Sequence, residues 1–415
     1  MTLKIRQAVI LAGGKGTRLG ELTVDTPKPM VSVNGKPFLE YLIDMLRENG
    51  IEEIVLLLGY LPHKITDYFK DGTEFGVKIR YSVGDVEFET GKRVKNAESM
   101  LDRVFLLMYC DNYWPLRLNR LIESYGKFNT LAMVTTYRNK NRITKNNMIV
   151  SEDGYVLKYD KNRQDPELNA VDIGFAVMEK NAVSMMPEDN FSLENDFYPS
   201  LIEKKQMTAY QTDQRHYTIG TPEKMKIAGE FLSGKRMVLV DRDGVINKKA
   251  PTADYVKKWS EFRFMPKTLD ALHLLTENGF RIIVITNQPG IARGMISKED
   301  LEEIHRNMVN EIKKNGGRID AIYNCMHGWD DGCECRKPRP GLLFRASADF
   351  KFDLTKTFFI GDDGRDLLAG EAAGCKNILI TNEATDNTDN VAPHIKCRNI
   401  YEAAKIVIEN TKVKS

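Results

Sequence analysis

Two successive runs of short, β-branched apolar segments, each interleaved with stretches of helical spacing, limit most strongly how this chain folds. The first comprises Ala8 to Ala12, a helical stretch near Phe38 to Glu48, Glu53 to Leu58, a helical stretch near Lys64 to Phe69, and Val77 to Ser82. The rhythm starts afresh at Met237 to Val240. It continues through a helix near Lys267 to Asn278, a strand at Arg281 to Ile285, a helix near Lys298 to Lys314 and a strand at Thr357 to Ile360. Strand–helix–strand alternation gives a mainly parallel sheet covered by helices. The sequence therefore predicts two α/β domains, residues 1–232 and 236–413. Their boundary is expected near Gly229 to Arg236, where a helix begun around Pro222 ends before Ser233-Gly234-Lys235-Arg236. Thr381 to Asn390 is polar and reads as a surface loop before a closing helix near Tyr401 to Glu409. No internal repeat is visible, because the glycine-rich turn of the first half has no counterpart in the second.

With 60 Lys+Arg against 58 Asp+Glu, the chain has no basic field that would concentrate nucleic acid, and no polybasic run stands beside an amphipathic anchor. Its longest apolar runs, Ile54 to Leu58 and Met237 to Val240, are far shorter than the ~20 residues of a membrane-spanning helix. Met1 to Arg6 lead into a strand without the apolar core of a signal peptide. Of the six cysteines, Cys325, Cys333 and Cys335 crowd together while Cys110, Cys375 and Cys397 are isolated, unlike a disulfide scaffold. The expectation is a cytoplasmic protein with small-molecule partners and neither nucleic-acid nor membrane binding; a homo-oligomer stays open.

In the first half, the strand ending Leu11-Ala12 runs into Gly13-Gly14-Lys15-Gly16-Thr17-Arg18-Leu19. Glycines let backbone N–H groups curl around phosphate oxygens without Cβ clashes. The loop lacks the order of a Walker A motif and the spacing of a dinucleotide fingerprint. Shortly after it, Thr26-Pro27-Lys28-Pro29-Met30 holds one lysine in a segment stiffened by two prolines, a fixed ammonium suited to charge on a transferring phosphoryl group. Asp111 follows the apolar run Val104 to Tyr109, at a strand end where open sheets bind ligands.

Together, Leu11 to Leu19, Pro27-Lys28-Pro29-Met30 and Gly35-Lys36-Pro37-Phe38-Leu39-Glu40-Tyr41 resemble the sugar-1-phosphate nucleotidyltransferases, with a Rossmann-like, GT-A-like domain. The resemblance implies attack of a sugar 1-phosphate oxygen on the α-phosphorus of a nucleoside triphosphate, with release of pyrophosphate. It assigns Leu11, Ala12, Gly13, Gly14, Gly16 and Thr17 to the nucleotide, Arg18 and Lys28 to the transition state, and Asp111 to Mg²⁺. Lys161 falls where the family binds the sugar phosphate, and Asp172, Gly174 and Glu194 where it contacts the sugar. Two departures stand out. Thr218 occupies the place of a second metal-binding Asp, which leaves Mg²⁺ more dependent on Asp111 and the triphosphate. Glu89-Thr90-Gly91-Lys92-Arg93-Val94-Lys95 replaces the usual stretch near the base and is similar to a segment of glucose-1-phosphate cytidylyltransferases, so the choice of base stays open.

The second half opens on Met237-Val238-Leu239-Val240-Asp241-Arg242-Asp243-Gly244, an apolar strand that projects two carboxylates at its end. One can attack phosphorus while the other shuttles the leaving-group proton, and their mutual repulsion calls for a divalent cation. Thr286, Lys337 and Asp362 follow in order, each after a strand or in a loop. This set resembles the haloacid dehalogenase superfamily and implies a Rossmannoid phosphatase domain. The resemblance makes Asp241 the nucleophile and Asp243 the general acid/base, puts Thr286 and Lys337 on the phosphoryl oxygens, and gives Mg²⁺ to Asp241, Asp243 and Asp362.

Within that superfamily, Ile246-Asn247-Lys248, the run Thr286 to Gly294 and Cys335-Arg336-Lys337-Pro338 resemble the D-glycero-D-manno-heptose-1,7-bisphosphate 7-phosphatases, with histidinol phosphatases as near relatives. Asn287 belongs to the substrate set, and Arg293 and Arg336 are candidates for the distal phosphate. Asp363 departs from the Lys usual after the motif Asp. Cys325, His327, Cys333 and Cys335 supply three thiolates and one imidazole, a filled tetrahedral set that reads as structural Zn²⁺ clamping the loop before Lys337. His63, His216, His273, His305 and His394 are scattered and read as ordinary surface or core residues.

The expectation is a bifunctional enzyme of nucleotide-activated heptose synthesis. It removes the 7-phosphate of a heptose bisphosphate, then transfers a nucleotidyl group, GMP from GTP in the leading reading, to the heptose 1-phosphate. Two alternatives stay open: CTP with another sugar or polyol phosphate, and a phosphatase carrying a decayed, binding-only N-terminal half.

Overall fold

The computed structural model describes residues 3–140, 142–251, 254–381 and 392–412. The polar stretch read as a loop lies, beyond Thr381, outside the described residues. The chain divides into two compact units, Met1–Glu230 and Phe231–Ser415.

The first unit is built on a seven-stranded sheet. In chain order its strands are β1 (Gln7–Ala12), β2 (Glu53–Leu58), β3 (Lys78–Val83), β4 (Val104–Tyr109), β5 (Ala132–Tyr137), β6 (Val171–Glu179) and β7 (Met207–Thr212). Their spatial order is β7-β5-β6-β4-β1-β2-β3. Every residue of β1 is buried, as a central parallel strand covered on both faces requires. The helix Phe38–Glu48 turns Phe38, Leu39, Leu42, Ile43 and Leu46 inward at helical spacing. Strand β6 runs antiparallel to both β4 and β5, a departure from the mainly parallel pattern of the sequence rhythm. The pairing of β6 with β5 shifts register between Asp172 and Ala176, and Gly174 within that bulge adopts φ +81°. Strand order reverses at β1, between β2 on one side and β4 on the other, and a cleft opens at such a point beyond the carboxyl ends of the strands.

The second unit holds a six-stranded, all-parallel sheet. Its strands are β8 (Met237–Val240), β9 (Arg281–Asn287), β10 (Ala321–Cys325), β11 (Phe358–Gly361), β12 (Lys376–Ile380) and β13 (Ile395–Cys397), in the order β10-β9-β8-β11-β12-β13. Strand β8 is flanked by β9 and β11, so the residues after Val240, at Thr286 and after Gly361 meet at one end of the sheet. The helix Lys298–Lys314 is capped by Ser297, whose hydroxyl accepts from Asp300 N, and buries Leu301, Ile304, Met308 and Ile312. No described helix is long and apolar enough to cross a membrane.

Candidate functional site

In the first unit the loop after β1 is shaped from below by Arg93, on the helix Thr90–Asn96. Its buried guanidinium donates to the carbonyls of Leu58 (2.9 Å), Gly13 (3.4 Å), Asp85 (2.9 Å) and Val86 (3.0 Å). A Cβ on Gly13 would lie 2.3 Å from that guanidinium and would push it out of these hydrogen bonds. Leu11, Ala12 and Gly13 are buried, Gly16 is half-buried, and Gly14, Thr17 and Arg18 are exposed on the cleft-side loop. Lys28, in the turn Lys28–Met30 between two prolines, is buried and ion-paired with Asp111. Thr218 pairs with Asn112 in a two-residue ladder, and Ile219 N donates to Asp111 O (3.0 Å). The hydroxyl of Thr218 accepts from Gly220 N (3.2 Å). Thr218 thus stands beside Asp111, but as a neutral group.

Beside these lies a polar cluster. Asp172 accepts from Gly174 N (2.8 Å) and from the Tyr159 hydroxyl (3.2 Å), and burial pushes its carboxyl up to about 6. Glu194 accepts from Tyr109, from Thr90 Oγ1 (2.9 Å) and from Ser192 Oγ (2.6 Å), and burial raises it too. A Cβ on Gly174 would meet Asn112 Nδ2 at 2.8 Å and Tyr109 at 2.9 Å, so this segment packs directly on the strand end that carries Asp111. Lys161 is exposed on a turn knit by Asp160, whose carboxylate accepts from four successive backbone N–H groups at 2.9–3.0 Å. The structure does not bring Lys161 into the cluster. Arg163, two residues on, is the cation whose charge reaches Asp172.

In the second unit, Lys337 is buried with its ammonium 2.6 Å from Asp241 Oδ1, 2.6 Å from Asp366 Oδ1 and 2.9 Å from Ile285 O. Burial opposes its charge, but Asp241 and Asp366 outweigh that and raise the ammonium above its ordinary value. Asp241 is pushed up to about 7, by burial first and then by Asp366. Asp362, fully buried, is pushed up to about 8 by burial and by the charge of Asp241, while Lys249 pairs with it at 2.8 Å. Ligand atoms of Asp241, Asp362 and Asp366 lie within 4.8 Å of one another, an all-oxygen donor set that suits a hard divalent cation.

Asp243 is held apart from that trio. Its carboxylate receives Arg242 Nη2 (2.9 and 2.8 Å), Asn247 Nδ2 (2.9 Å) and Gln288 Nε2 (2.8 Å). Burial would raise it, but Arg242 and these amides hold it below the usual carboxylate range. In the trio, Asp366 stands where the sequence reading put the side chain of Asp243. Asp366 also accepts from Asp362 N and Asp363 N (3.2 Å each) as part of a capping box with Asp363 on the helix Gly364–Ala373.

Thr286, at the end of β9, accepts from Gln288 Nε2 (2.9 Å). Asn287 exchanges two hydrogen bonds with the backbone of Lys337 (3.0 and 3.1 Å), which fixes the lysine loop against β9. Arg336 is pulled down by burial, and its Nη1 is buried without a hydrogen-bond partner. Arg293 is exposed, lies over the Trp329 ring at 4.9 Å and donates to the Tyr255 hydroxyl (3.0 Å). Ligand atoms of Cys325, His327, Cys333 and Cys335 lie within 4.8 Å of one another, with Cys325 Sγ 3.2 Å from Cys335 Sγ and His327 Nδ1 3.1 Å from Cys335 Sγ. Three sulfurs and one imidazole at such spacing match the donor chemistry of tetrahedral zinc.

Sequence reasoning missed Arg93, Arg242, Lys249, Gln288, His305 and Asp366. Only Asp366 carried a usable signal, since its place four residues after Asp362, across a strand-to-helix turn, returns it to the same strand end.

Carboxylates and cations gathered at the ends of a parallel sheet, and a glycine-rich loop beside an Asp–Lys pair in a second sheet, define a haloacid dehalogenase-like hydrolase joined to a nucleotidyl transferase domain. A family model for nucleotidyl transferases matches residues 7–153, and a HAD-hydrolase-like model matches residues 334–403. The D-glycero-beta-D-manno-heptose-1,7-bisphosphate 7-phosphatase of Pseudomonas aeruginosa is 38% identical over 146 residues, 35% of this chain and 81% of that one. The Helicobacter pylori protein of the same name is 33% identical over 175 residues, 41% of this chain and 97% of that one. Through its second unit, the chain belongs to the D-glycero-D-manno-heptose-1,7-bisphosphate 7-phosphatase family. Among solved structures, HddC from Yersinia pseudotuberculosis is 28% identical, with 55% of this chain and 99% of that one covered and a TM-score of 0.48. The D,D-heptose 1,7-bisphosphate phosphatase of Bordetella bronchiseptica, complexed with magnesium and phosphate, is 32% identical, with 42% and 99% covered and a TM-score of 0.40.

Proposed function

We propose that this chain is a bifunctional enzyme of nucleotide-activated heptose synthesis. It removes the 7-phosphate from a D-glycero-D-manno-heptose 1,7-bisphosphate and then transfers a nucleotidyl group, GMP from GTP, to the heptose 1-phosphate. The observation that carries the first activity is the contact of Lys337 with Asp241 at 2.6 Å, with Asp362 and Asp366 beside it in a buried cluster. There Asp241 attacks the 7-phosphorus: an aspartyl O–P bond forms and the bond from phosphorus to the sugar oxygen breaks. Asp243, ionised in the empty site, takes up a proton as the anionic phosphate enters beside it, gives that proton to the departing sugar oxygen and takes another from the water that later hydrolyses the aspartyl phosphate. Lys337 and the Thr286 hydroxyl, whose lone pair already receives Gln288, hold the phosphoryl oxygens. Asp241, Asp362 and Asp366 are the residues that would hold Mg²⁺, which when bound neutralises charge on the transferring group. The unpartnered Nη1 of Arg336 and the exposed Arg293 offer donors for the distal phosphate.

In the first unit, the glycine loop and the Lys28–Asp111 pair support nucleotidyl transfer. Lys28 and Arg18 neutralise charge on the triphosphate, Asp111 would hold Mg²⁺, and Asp172 and Glu194 accept sugar hydroxyls. The zinc set would stiffen the loop that leads to Lys337. Free thiols and nucleoside triphosphate chemistry favour the cytoplasm.

The test is a substrate screen on the purified chain. Phosphate release from the heptose bisphosphate is expected to vanish in Asp241→Asn, and pyrophosphate release from GTP plus heptose 1-phosphate in Asp111→Asn. Release of neither product from any heptose phosphate refutes the reading. The Glu89–Lys95 segment favours a second reading in which CTP is the donor, and the same screen run with all common nucleoside triphosphates separates the two.

A further inference from the structure

Asp243 is contacted by Arg242, and Arg242 in turn by His305, one of the histidines that the sequence marks as ordinary. Arg242 is buried, and the hydrogen bonds of its guanidinium go to Asp243 on one side and to His305 Nε2 (3.1 Å) on the other, while its Nε has no partner. A guanidinium has five N–H donors and no acceptor. The His305 nitrogen facing it must therefore supply a lone pair, which makes His305 a neutral imidazole with its proton on Nδ1. Burial and the neighbouring Arg242 charge agree, pulling His305 down to about 3. His305 projects from the helix Lys298–Lys314, whose inward residues Leu301, Ile304 and Met308 anchor that part of the helix in the core.

We propose that His305 and Arg242 are positioning residues for the phosphatase reaction: His305 holds one arm of the guanidinium, and the guanidinium aims the Asp243 carboxylate at the leaving oxygen. The proposal rests on the reading of Asp243 as general acid/base. Asn247 and Gln288 each bind one oxygen of Asp243, whereas Arg242 Nη2 spans both and so sets the plane of the carboxylate. A misplacement of about 1 Å at a catalytic group costs roughly 100-fold in rate.

The experiment compares two leaving groups. A sugar or other alkyl phosphate leaves as a basic alkoxide and needs the proton from Asp243, whereas p-nitrophenyl phosphate leaves as a stable phenolate and hardly needs it. His305→Leu is expected to lower kcat/KM, which reports formation of the aspartyl phosphate and not its hydrolysis by water, by about 10- to 100-fold on the alkyl phosphate and to leave kcat/KM on p-nitrophenyl phosphate within about 3-fold. His305→Gln, whose amide oxygen can replace Nε2, should restore most of the alkyl rate. If His305→Leu does not fold, His305→Asn, whose amide is too short to reach the guanidinium, is read in its place. Equal losses of kcat/KM on both substrates, or no loss of it on either, overturn the proposal. Asp243→Asn is the control: if it fails to discriminate between the leaving groups, the acid/base reading itself falls. If it discriminates and His305→Leu does not, only the positioning role falls.

Discussion

Lys249 Nζ stands 2.8 Å from Asp362 Oδ2 and 3.9 Å from Asp363 Oδ2, so a lysine from the loop after Asp243 supplies the cation that the position after Asp362 lacks. Asp362 is fully buried, and its carboxyl is already pushed up to about 8. Near pH 9, where that carboxyl is ionised, removing its partner leaves an uncompensated buried charge, a change that typically costs about 3 kcal/mol. Lys249→Met is therefore expected to lower the metal-free stability of the chain by about that amount and to regain part of it at saturating Mg²⁺. Urea unfolding with and without Mg²⁺ measures both; equal stability of variant and parent in chelator would contradict it.

The cysteine loop is tied to the phosphatase pocket through the backbone. Gln288 N donates to Cys325 O (2.6 Å) and Arg339 Nη1 to Cys333 O (2.7 Å), while Asn287 grips the Lys337 backbone. Cys333→Ser should therefore abolish stoichiometric zinc and lower phosphate release by about 10-fold or more, leaving pyrophosphate release unchanged. Metal analysis alongside the two product assays checks this, and full phosphatase activity in a zinc-free preparation would show that the loop stands without metal.

Much of both pockets was legible because chain order and strand ends coincide. Asp241, Thr286, Lys337 and Asp362 follow apolar runs or turn signals, and parallel pairing of β8 with β9 and β11 brings three of them to one edge. The same holds for the glycine loop and Asp111 on β1 and β4. Groups delivered from elsewhere could not be read. Lys249 arrives from a loop with no pattern of its own, His305 from the inward stripe of an amphipathic helix, where a histidine reads as an ordinary core residue, and Arg93 from beneath the loop it supports. The antiparallel direction of β6 was equally hidden, since alternation of apolar residues carries no sign of strand polarity. Lys161 stands on the turn knit by Asp160 and is exposed, a placement that its spacing in the sequence does not reveal.

Asp172 makes a pH prediction with a definite sign. Its carboxyl lies at about 6 in the folded chain against an ordinary value of 3.8, because burial penalises the charged form. A raised folded-state value means that the native state holds the proton more tightly than the unfolded one. The stability it contributes is full below the ordinary value and is lost as pH rises through about 6. Asp172→Asn keeps the oxygen that accepts from Gly174 N but cannot ionise. The variant should match the parent near pH 4 and exceed it by about 2 kcal/mol near pH 7.5, while transfer to the sugar phosphate falls. Denaturant midpoints across that range test it; a gap independent of pH would exclude ionisation as the cause.

Thr218 offers the sharpest test of the transferase pocket. It sits in the ladder with Asn112, and Ile219 N donates to Asp111 O, so a carboxylate placed there would stand beside Asp111 on the adjoining strand. As a hydroxyl it contributes no charge toward a cation, and its oxygen is occupied by Gly220 N at 3.2 Å. Two carboxylates bind a hard divalent ion more tightly than one. Thr218→Asp is therefore expected to lower the Mg²⁺ concentration for half-maximal pyrophosphate release by about 10-fold, while Asp111→Asn lowers turnover by about 100-fold at any Mg²⁺ concentration. Titrating Mg²⁺ against pyrophosphate release for parent and variants reads both effects. An unchanged Mg²⁺ requirement in Thr218→Asp would mean that the cation in this pocket is held from another side, and Asp111 would lose its assigned role if its replacement left turnover intact.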